Sequence, residues 1–261
     1  MQTKTLSMLL LIIFIWMPGI TTAQTEDGIN LLKAPINISD ILSLQRGAKL
    51  YINYCSGCHS LNFIRYNRVA QDLKLVDKDN QIDGQLLKNN LIFTGAKISD
   101  PIQTGIRKED AKSWFGVAPP DLSLIARSRG SDWLYTYLLS FYRDRTRPFG
   151  ANNLLFNETA MPDVLVLLRG TQIPVYQIKN VVVDGKSQQI REIKHLVITE
   201  SGTMSPQQFN TAVADIVNFL TYVGEPTKPT RQSFGIWVVG YLILFAAVTY
   251  FLKKEYWKKI K

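Results

Sequence analysis

The most chemically loaded stretch of the chain is Cys55-Ser56-Gly57-Cys58-His59. Two thiols at this spacing reach the two vinyl groups of one porphyrin as thioethers, and the adjacent imidazole then lies beneath the iron as an axial ligand. Small Ser56 and Gly57 let the backbone run close to a porphyrin edge. Two other chemistries use the same residue types. A structural zinc site wants four ligands. The whole chain offers only Cys55, Cys58, His59 and His195, and His59 abuts Cys58 too closely for a shared tetrahedron. A thiol–disulfide pair normally opens a helix, whose N-terminus lowers the thiol pKa. Here the motif closes a helical pattern, Leu44, Ala48, Tyr51 and Cys55, behind the cap candidates Ser39, Asp40 and Ser43. The residues point to one covalently bound haem c, with His59 on its iron.

Counting narrows the other axial position. Beyond the leader segment the chain keeps one further histidine, His195, and two methionines, Met161 and Met204. His195 falls among β-formers that flank Asp184-Gly185, a hairpin-turn signal, which makes it a strand surface residue. Met204 precedes a strong helix start, with Ser205 as cap, Pro206 at the first helical position and Gln208 completing a capping box. That favours packing for Met204. Met161 lies in an irregular loop with Pro162 stiffening the backbone after it, which suits a thioether ligand, although methionine is often only a gap-filler. Met161 is the favoured second ligand, and His/Met ligation raises the potential of an electron carrier.

These residues need elements to hold them. The helix starting at Ser205 shows Phe209, Ala212, Val213, Ile216, Val217, Leu220 and Val223 on one face and ends at Gly224, with Pro226 beyond. Gly47 and Ala48 allow it to cross the helix carrying Tyr51 closely. A third helix is expected from Asp132 to Tyr142, with Ser131 as cap. Before it, Ala118-Pro119-Pro120-Asp121-Leu122-Ser123 is a stiff turn whose prolines, Pro120 among them, can wall a haem. Residues 69–114 are mixed in character and give no order of elements.

The ends of the chain supply a location. Lys4 precedes an apolar run over residues 8–17, then Pro18-Gly19 and Thr21-Thr22-Ala23, the pattern of a signal peptide at 1–23. Residues 235–252 are apolar, with Trp237 and Tyr250 near the ends, and match a membrane span. Lys253, Lys254, Lys258, Lys259 and Lys261 follow, so the 253–261 tail is expected in the cytoplasm and the 24–234 domain outside it. The formal charge of +9 mostly reflects these flanks. Residues 24–252 carry 24 Lys and Arg against 20 Asp and Glu, too even a balance to suggest nucleic acid as a partner.

Taken in order, Arg46-Gly47, the Cys55–His59 motif with Ser60, Ala118 to Ser123, Arg127-Ser128-Arg129-Gly130, Ala160-Met161-Pro162, Asp215 to Leu220, Glu225-Pro226, Arg231 and Gly235 make the chain resemble the cytochrome c1 family over about residues 40–261. That family supplies the haem subunit of the quinol–cytochrome c oxidoreductase, the bc1 complex. The resemblance implies a mainly α fold, a c-type cytochrome domain plus one C-terminal transmembrane helix; residues 168–202 depart from the family's often shorter segment and read as a small β-hairpin insertion. It implies His59 and Met161 as axial ligands, and a basic residue near a haem propionate, of which Arg129 is favoured over Arg127. It also implies cytochrome b and the Rieske iron–sulfur protein as partners, the latter as electron donor. A cytochrome c would be the acceptor, and the location a bacterial inner membrane with the haem domain in the periplasm. The chain would then carry electrons without being an enzyme on its own. The rival readings are a stand-alone anchored cytochrome that donates to an oxidase, and a haem enzyme with an open iron site.

Overall fold

Asp40 caps the first helix: its carboxylate accepts the Ser43 N–H at 3.1 Å, one of the donors that a helix start leaves unpaired. From there α1 runs Ile41–Tyr54 and buries Leu44, Gly47, Ala48, Tyr51 and Ile52 on one face. The computed structural model describes residues 29–183 and 186–259. The signal peptide expected at 1–23 and the Asp184-Gly185 turn lie outside the described residues, and the described residues from 31 onward belong to one unit.

After α1 come β1 (Leu61–Arg65), α2 (Tyr66–Asp72), α3 (Gly84–Asn90), β2 (Pro101–Ile102), α4 (Lys108–Phe115), α5 (Ile125–Ser128) and α6 (Ser131–Leu139). The chain continues through β3 (Phe141–Arg143), β4 (Ala151–Asn153), α7 (Val166–Arg169), β5 (Gly170–Val183), β6 (Lys186–Ser201), α8 (Pro206–Gly224) and α9 (Lys228–Tyr256). Helices dominate, and the strands pair as β1–β2, β3–β4 and β5–β6, each antiparallel. The stretch whose order the sequence did not reveal is thus short helices separated by turns and one short strand.

The capping box at the start of α8 forms as its residues predict: Ser205 Oγ accepts the Gln208 N–H at 3.3 Å, and Gln208 Oε1 accepts the Ser205 N–H at 2.9 Å. α8 then crosses α1 at Gly47. A Cβ there would lie 2.0 Å from the Asp215 carbonyl oxygen and 2.8 Å from Phe219 Cβ. Beside the crossing the buried Asp215 carboxylate takes Arg46 Nε at 2.6 Å, Arg46 Nη2 at 2.9 Å and Ser43 Oγ at 2.6 Å. Asn218 extends the network, donating to Ser43 Oγ and the Asn37 carbonyl while accepting the Asn37 N–H. A buried carboxylate is costly unless it is paired and hydrogen-bonded, so the network ties the two helices to one register.

Two expectations change in detail. The third helix, expected over Asp132 to Tyr142 behind a Ser131 cap, is α6, and it stops at Leu139. Its N-cap is Gly130, at φ +88°, with no side-chain cap. Ser131 lies inside the helix, and its hydroxyl meets Thr221 Oγ1 on α8 at 3.0 Å. Phe141 and Tyr142 leave the helical path to pair with Asn153 and Asn152 in a strand ladder. Aromatic side chains fit such a buried ladder well, so tertiary pairing overrides the helical spacing. The expected 235–252 span sits inside the longer α9, 29 residues with none buried. At 1.5 Å per residue such a helix reaches about 44 Å, more than the ~30 Å hydrocarbon core of a bilayer.

The hairpin insertion is present as β5 and β6, strands of 14 and 16 residues. Its root is pinched between Gly170, at φ +100°, and Gly202; a Cβ on either would fall within 2.1 Å and 2.4 Å of a facing carbonyl, respectively. Gln172 Nε2 nails the root to the core by donating to the Leu139 and Phe141 carbonyls at 3.1 and 2.7 Å.

Because the new methyl of Gly47→Ala must displace backbone, the variant is expected to lose about 2–3 kcal/mol of stability, at the upper end for overpacking. Urea unfolding of the holoprotein measures this; an unchanged midpoint would mean that the crossing is looser than described.

Candidate haem-binding site

α1 delivers the motif. Cys55 is its C-cap, and the turn that follows is closed by Cys58 N–H to the Cys55 carbonyl at 3.1 Å and His59 N–H to the same oxygen at 2.9 Å. Tyr51, wholly buried one helical turn earlier, donates its hydroxyl to the His59 carbonyl at 2.7 Å. Its ring packs against Phe219 of α8 at 5.8 Å between centroids. The helix crossing therefore reaches the histidine through a single side chain. From the other side, Thr104 Oγ1 donates to the Gly57 carbonyl at 2.6 Å, and the Thr104 N–H donates to Ser60 Oγ at 2.9 Å.

Pro120 meets His59 directly. Its carbonyl oxygen lies 2.7 Å from His59 Nδ1. A carbonyl can only accept, so Nδ1 carries the proton and Nε2 keeps its lone pair, the tautomer of a metal-ligating histidine. Burial holds the His59 pKa below the ordinary imidazole value, against the opposing pull of the Pro120 bond. The turn that bears Pro120 is tied down by Leu122 N–H to the Ser60 carbonyl at 2.9 Å and by Asp121, whose carboxylate accepts the Asn62 and Ser123 N–H groups at 2.8 Å each. On this turn Val117, Ala118, Pro120 and Leu124 leave apolar surface exposed.

Both thiols are free. Burial, with Cys58 adding to it, pushes the Cys55 thiol up to about 12, and burial raises Cys58 as well. That is opposite to the thiolate a thiol–disulfide catalyst needs. His195 is exposed on β6, across from Val175, and among the described residues no three His, Cys, Asp or Glu side chains are placed to hold a metal ion. The donor set fits a haem instead: two free thiols, an imidazole with Nε2 available, and exposed apolar surface on the turn whose Pro120 carbonyl holds that imidazole.

Met161 is held by a second construction. Its loop is shaped from inside by two buried asparagines on β4. Asn153 Oδ1 accepts the Leu155 and Phe156 N–H groups at 2.9 and 3.3 Å, and its amide donates to the Tyr137 carbonyl at 2.8 Å. Asn152 Oδ1 accepts the Glu158 N–H at 2.9 Å. Past the methionine, the carboxylate of Asp163 pairs with the buried Arg169 guanidinium. Tyr137 lies against Met161 itself, with its hydroxyl 3.6 Å from Sδ. Met204 is half-buried at the head of α8, in the packing role expected of it.

Arg129 is exposed and lies over the Trp133 ring at 5.2 Å. Trp133 in turn stacks on Tyr137 with centroids 4.9 Å apart. Arg129, Trp133, Tyr137 and Phe141 thus form one column on the side of α6, and Cys55, Leu122, Trp133, Tyr137 and Met161 pack against the same core. Sequence reasoning missed Tyr137, Thr159, the two asparagines and the Asp163–Arg169 pair. The four-residue spacing of Trp133, Tyr137 and Phe141 was the one available hint.

A family model described as the Cytochrome C1 family matches residues 32–260. Cytochrome c1 of Allochromatium vinosum is 44% identical over 252 residues, covering 97% of this chain and 98% of the relative. A Nitrosomonas europaea protein named ammonia monooxygenase gamma subunit is 44% identical over 232 residues, 89% of each chain. The mitochondrial cytochrome c1 haem protein of Schizosaccharomyces pombe is 28% identical over 85% of this chain and 68% of its own. A mainly helical domain ending in an apolar helix of membrane-spanning length fits membrane anchoring. The chain belongs to the cytochrome c1 family, haem electron-transfer subunits of the bc1 complex.

Tyr51→Phe removes one buried hydrogen bond and leaves the His59 carbonyl without that donor, an expected cost of about 1–2 kcal/mol. The denaturant midpoint should fall with an unchanged slope; no fall would mean that water or another donor replaces the hydroxyl.

Proposed function

We propose that the chain is the relay subunit of a bacterial quinol–cytochrome c oxidoreductase and carries one covalent haem c. It would accept electrons from the Rieske iron–sulfur protein and pass them to a cytochrome c. The hydrogen bond from His59 Nδ1 to the Pro120 carbonyl carries this reading, because it leaves Nε2 free to ligate on the residue that follows Cys58 in the motif. Cys55 and Cys58 would make the thioethers, His59 and Met161 would ligate the iron, Pro120 would wall the group, and Arg129 would serve a propionate. When bound, the group would supply one-electron chemistry between ferric and ferrous iron. The protein's part would be to hold His59 and Met161 rigidly and exclude water, so that two protein ligands would leave the iron closed to substrates.

Location follows from the ends. Residues 1–23 act as a cleaved leader, residues 24–234 lie in the periplasm, residues 235–252 cross the inner membrane once, and the lysine-rich tail at 253–261 remains in the cytoplasm. A single span holds no quinone pocket of its own, so quinol oxidation belongs to the partners, cytochrome b and the iron–sulfur protein. Gly235 and Gly240 leave room for close helix approach in the membrane.

The reduced wild type should be six-coordinate and bind carbon monoxide poorly. Met161→Leu should open the iron to carbon monoxide, lower the reduction potential and stop turnover of the complex. Ready binding by the wild type, unchanged in Met161→Leu, would sink the two-ligand relay. In mild detergent the chain should purify together with cytochrome b and the iron–sulfur protein. Recovery as a lone monomer with quinol oxidation intact, or with monooxygenase subunits as the name of the Nitrosomonas relative suggests, would overturn the assignment.

A further inference from the structure

Three contacts around Met161 close on themselves. The Met161 N–H donates to Thr159 Oγ1 at 3.3 Å, Thr159 Oγ1 lies 3.0 Å from the Tyr137 hydroxyl, and that hydroxyl lies 3.6 Å from Met161 Sδ. A backbone N–H can only donate and a thioether sulfur can only accept. Only one sense of the ring satisfies all three: Met161 N–H to Thr159, Thr159 O–H to Tyr137, and Tyr137 O–H to Sδ. Thr159 is 5% exposed, so water has little access to replace its bonds. The Tyr137 ring cannot swing away, because Trp133 stacks on it at 4.9 Å and Phe141 meets it edge-on at 5.0 Å.

We propose that Tyr137, oriented by Thr159, is a positioning residue that sets the donor strength of the Met161 thioether and thereby the reduction potential. The proposal rests on the reading of Met161 as an axial ligand. A hydrogen bond to one sulfur lone pair fixes the rotation of the side chain and directs the other lone pair to the metal. It also draws electron density from the sulfur. The ferric ion depends more on thioether donation than the ferrous ion does, so the bond favours the reduced state and raises the potential. Removing it should lower the potential without removing the ligand.

The test is a redox titration of the haem in the purified membrane complex, with the thioether-to-iron absorption band of the oxidised form followed in parallel. Tyr137→Phe keeps the ring stack and deletes only the hydroxyl. It should retain the band and shift the oxidised-to-reduced ratio at a fixed solution potential about three- to tenfold toward oxidised, the size of one hydrogen bond. Thr159→Val should shift it the same way by less, and Thr159→Ser, which keeps a hydroxyl, should behave as wild type. A merely structural role for the ring predicts no shift in Tyr137→Phe, and an unchanged potential with the band intact would overturn the proposal. Met161→Leu separates the two levels: if it leaves band and potential untouched, the ligand assignment fails, and the proposal with it. If it abolishes the band while Tyr137→Phe and Thr159→Val leave the potential unchanged, only the tuning role fails.

Discussion

The approach of two helices at Gly47 is the constraint on which the rest of the molecule depends. With no side chain there, the α8 backbone at Asp215 comes within a distance that no Cβ would allow. That closeness brings Phe219 onto Tyr51, and Tyr51 is the residue that holds the His59 carbonyl. The network of Ser43, Arg46, Asp215, Asn218 and Asn37 prevents the helices from sliding, because any slip would strand a buried carboxylate or amide. A contact between the first and last helices of the domain thus becomes positional precision at the motif between them.

Met161 is reached by a different route, through loop geometry. Buried asparagines on β4 replace the backbone partners that an irregular loop lacks, and the Asp163–Arg169 pair closes it on the far side. The Cys55–His59 motif and Met161 are thus each held by side chains that are themselves locked. On the proposed reading, such preorganisation would suit a group that changes charge without the protein rearranging around it.

The two additions to this core differ in how they are joined. The hairpin is rooted firmly by Gly170, Gly202 and Gln172, so its base belongs to the domain. α9 follows α8 after a short turn, to which Arg231 of α9 reaches back to pair with Glu225 at 2.6 Å, and no residue of α9 is buried within the chain. The apolar surface of α9 is left for lipid or for other subunits, as expected of an anchor that works within a complex.

Much of this was legible in the residues alone. The Cys55–His59 motif, the cap and face of α1, the Ser205 capping box, the small-residue crossing and the apolar span are local patterns, and local patterns survive without coordinates because spacing along a helix fixes which residues share a face. Counting potential ligands made Met161 the favoured candidate because so few existed. The tautomer of His59, set by a carbonyl 61 positions away, could not be read this way. Nor could the end of α6, where strand pairing defeated the helical spacing, or the ring joining Met161, Thr159 and Tyr137. These depend on which groups the fold brings within hydrogen-bond reach. The sequence by itself determined which residues can do chemistry and on which elements they ride; only the tertiary structure decided how Met161 and His59 are oriented, because orientation is enforced by partners distant in the chain.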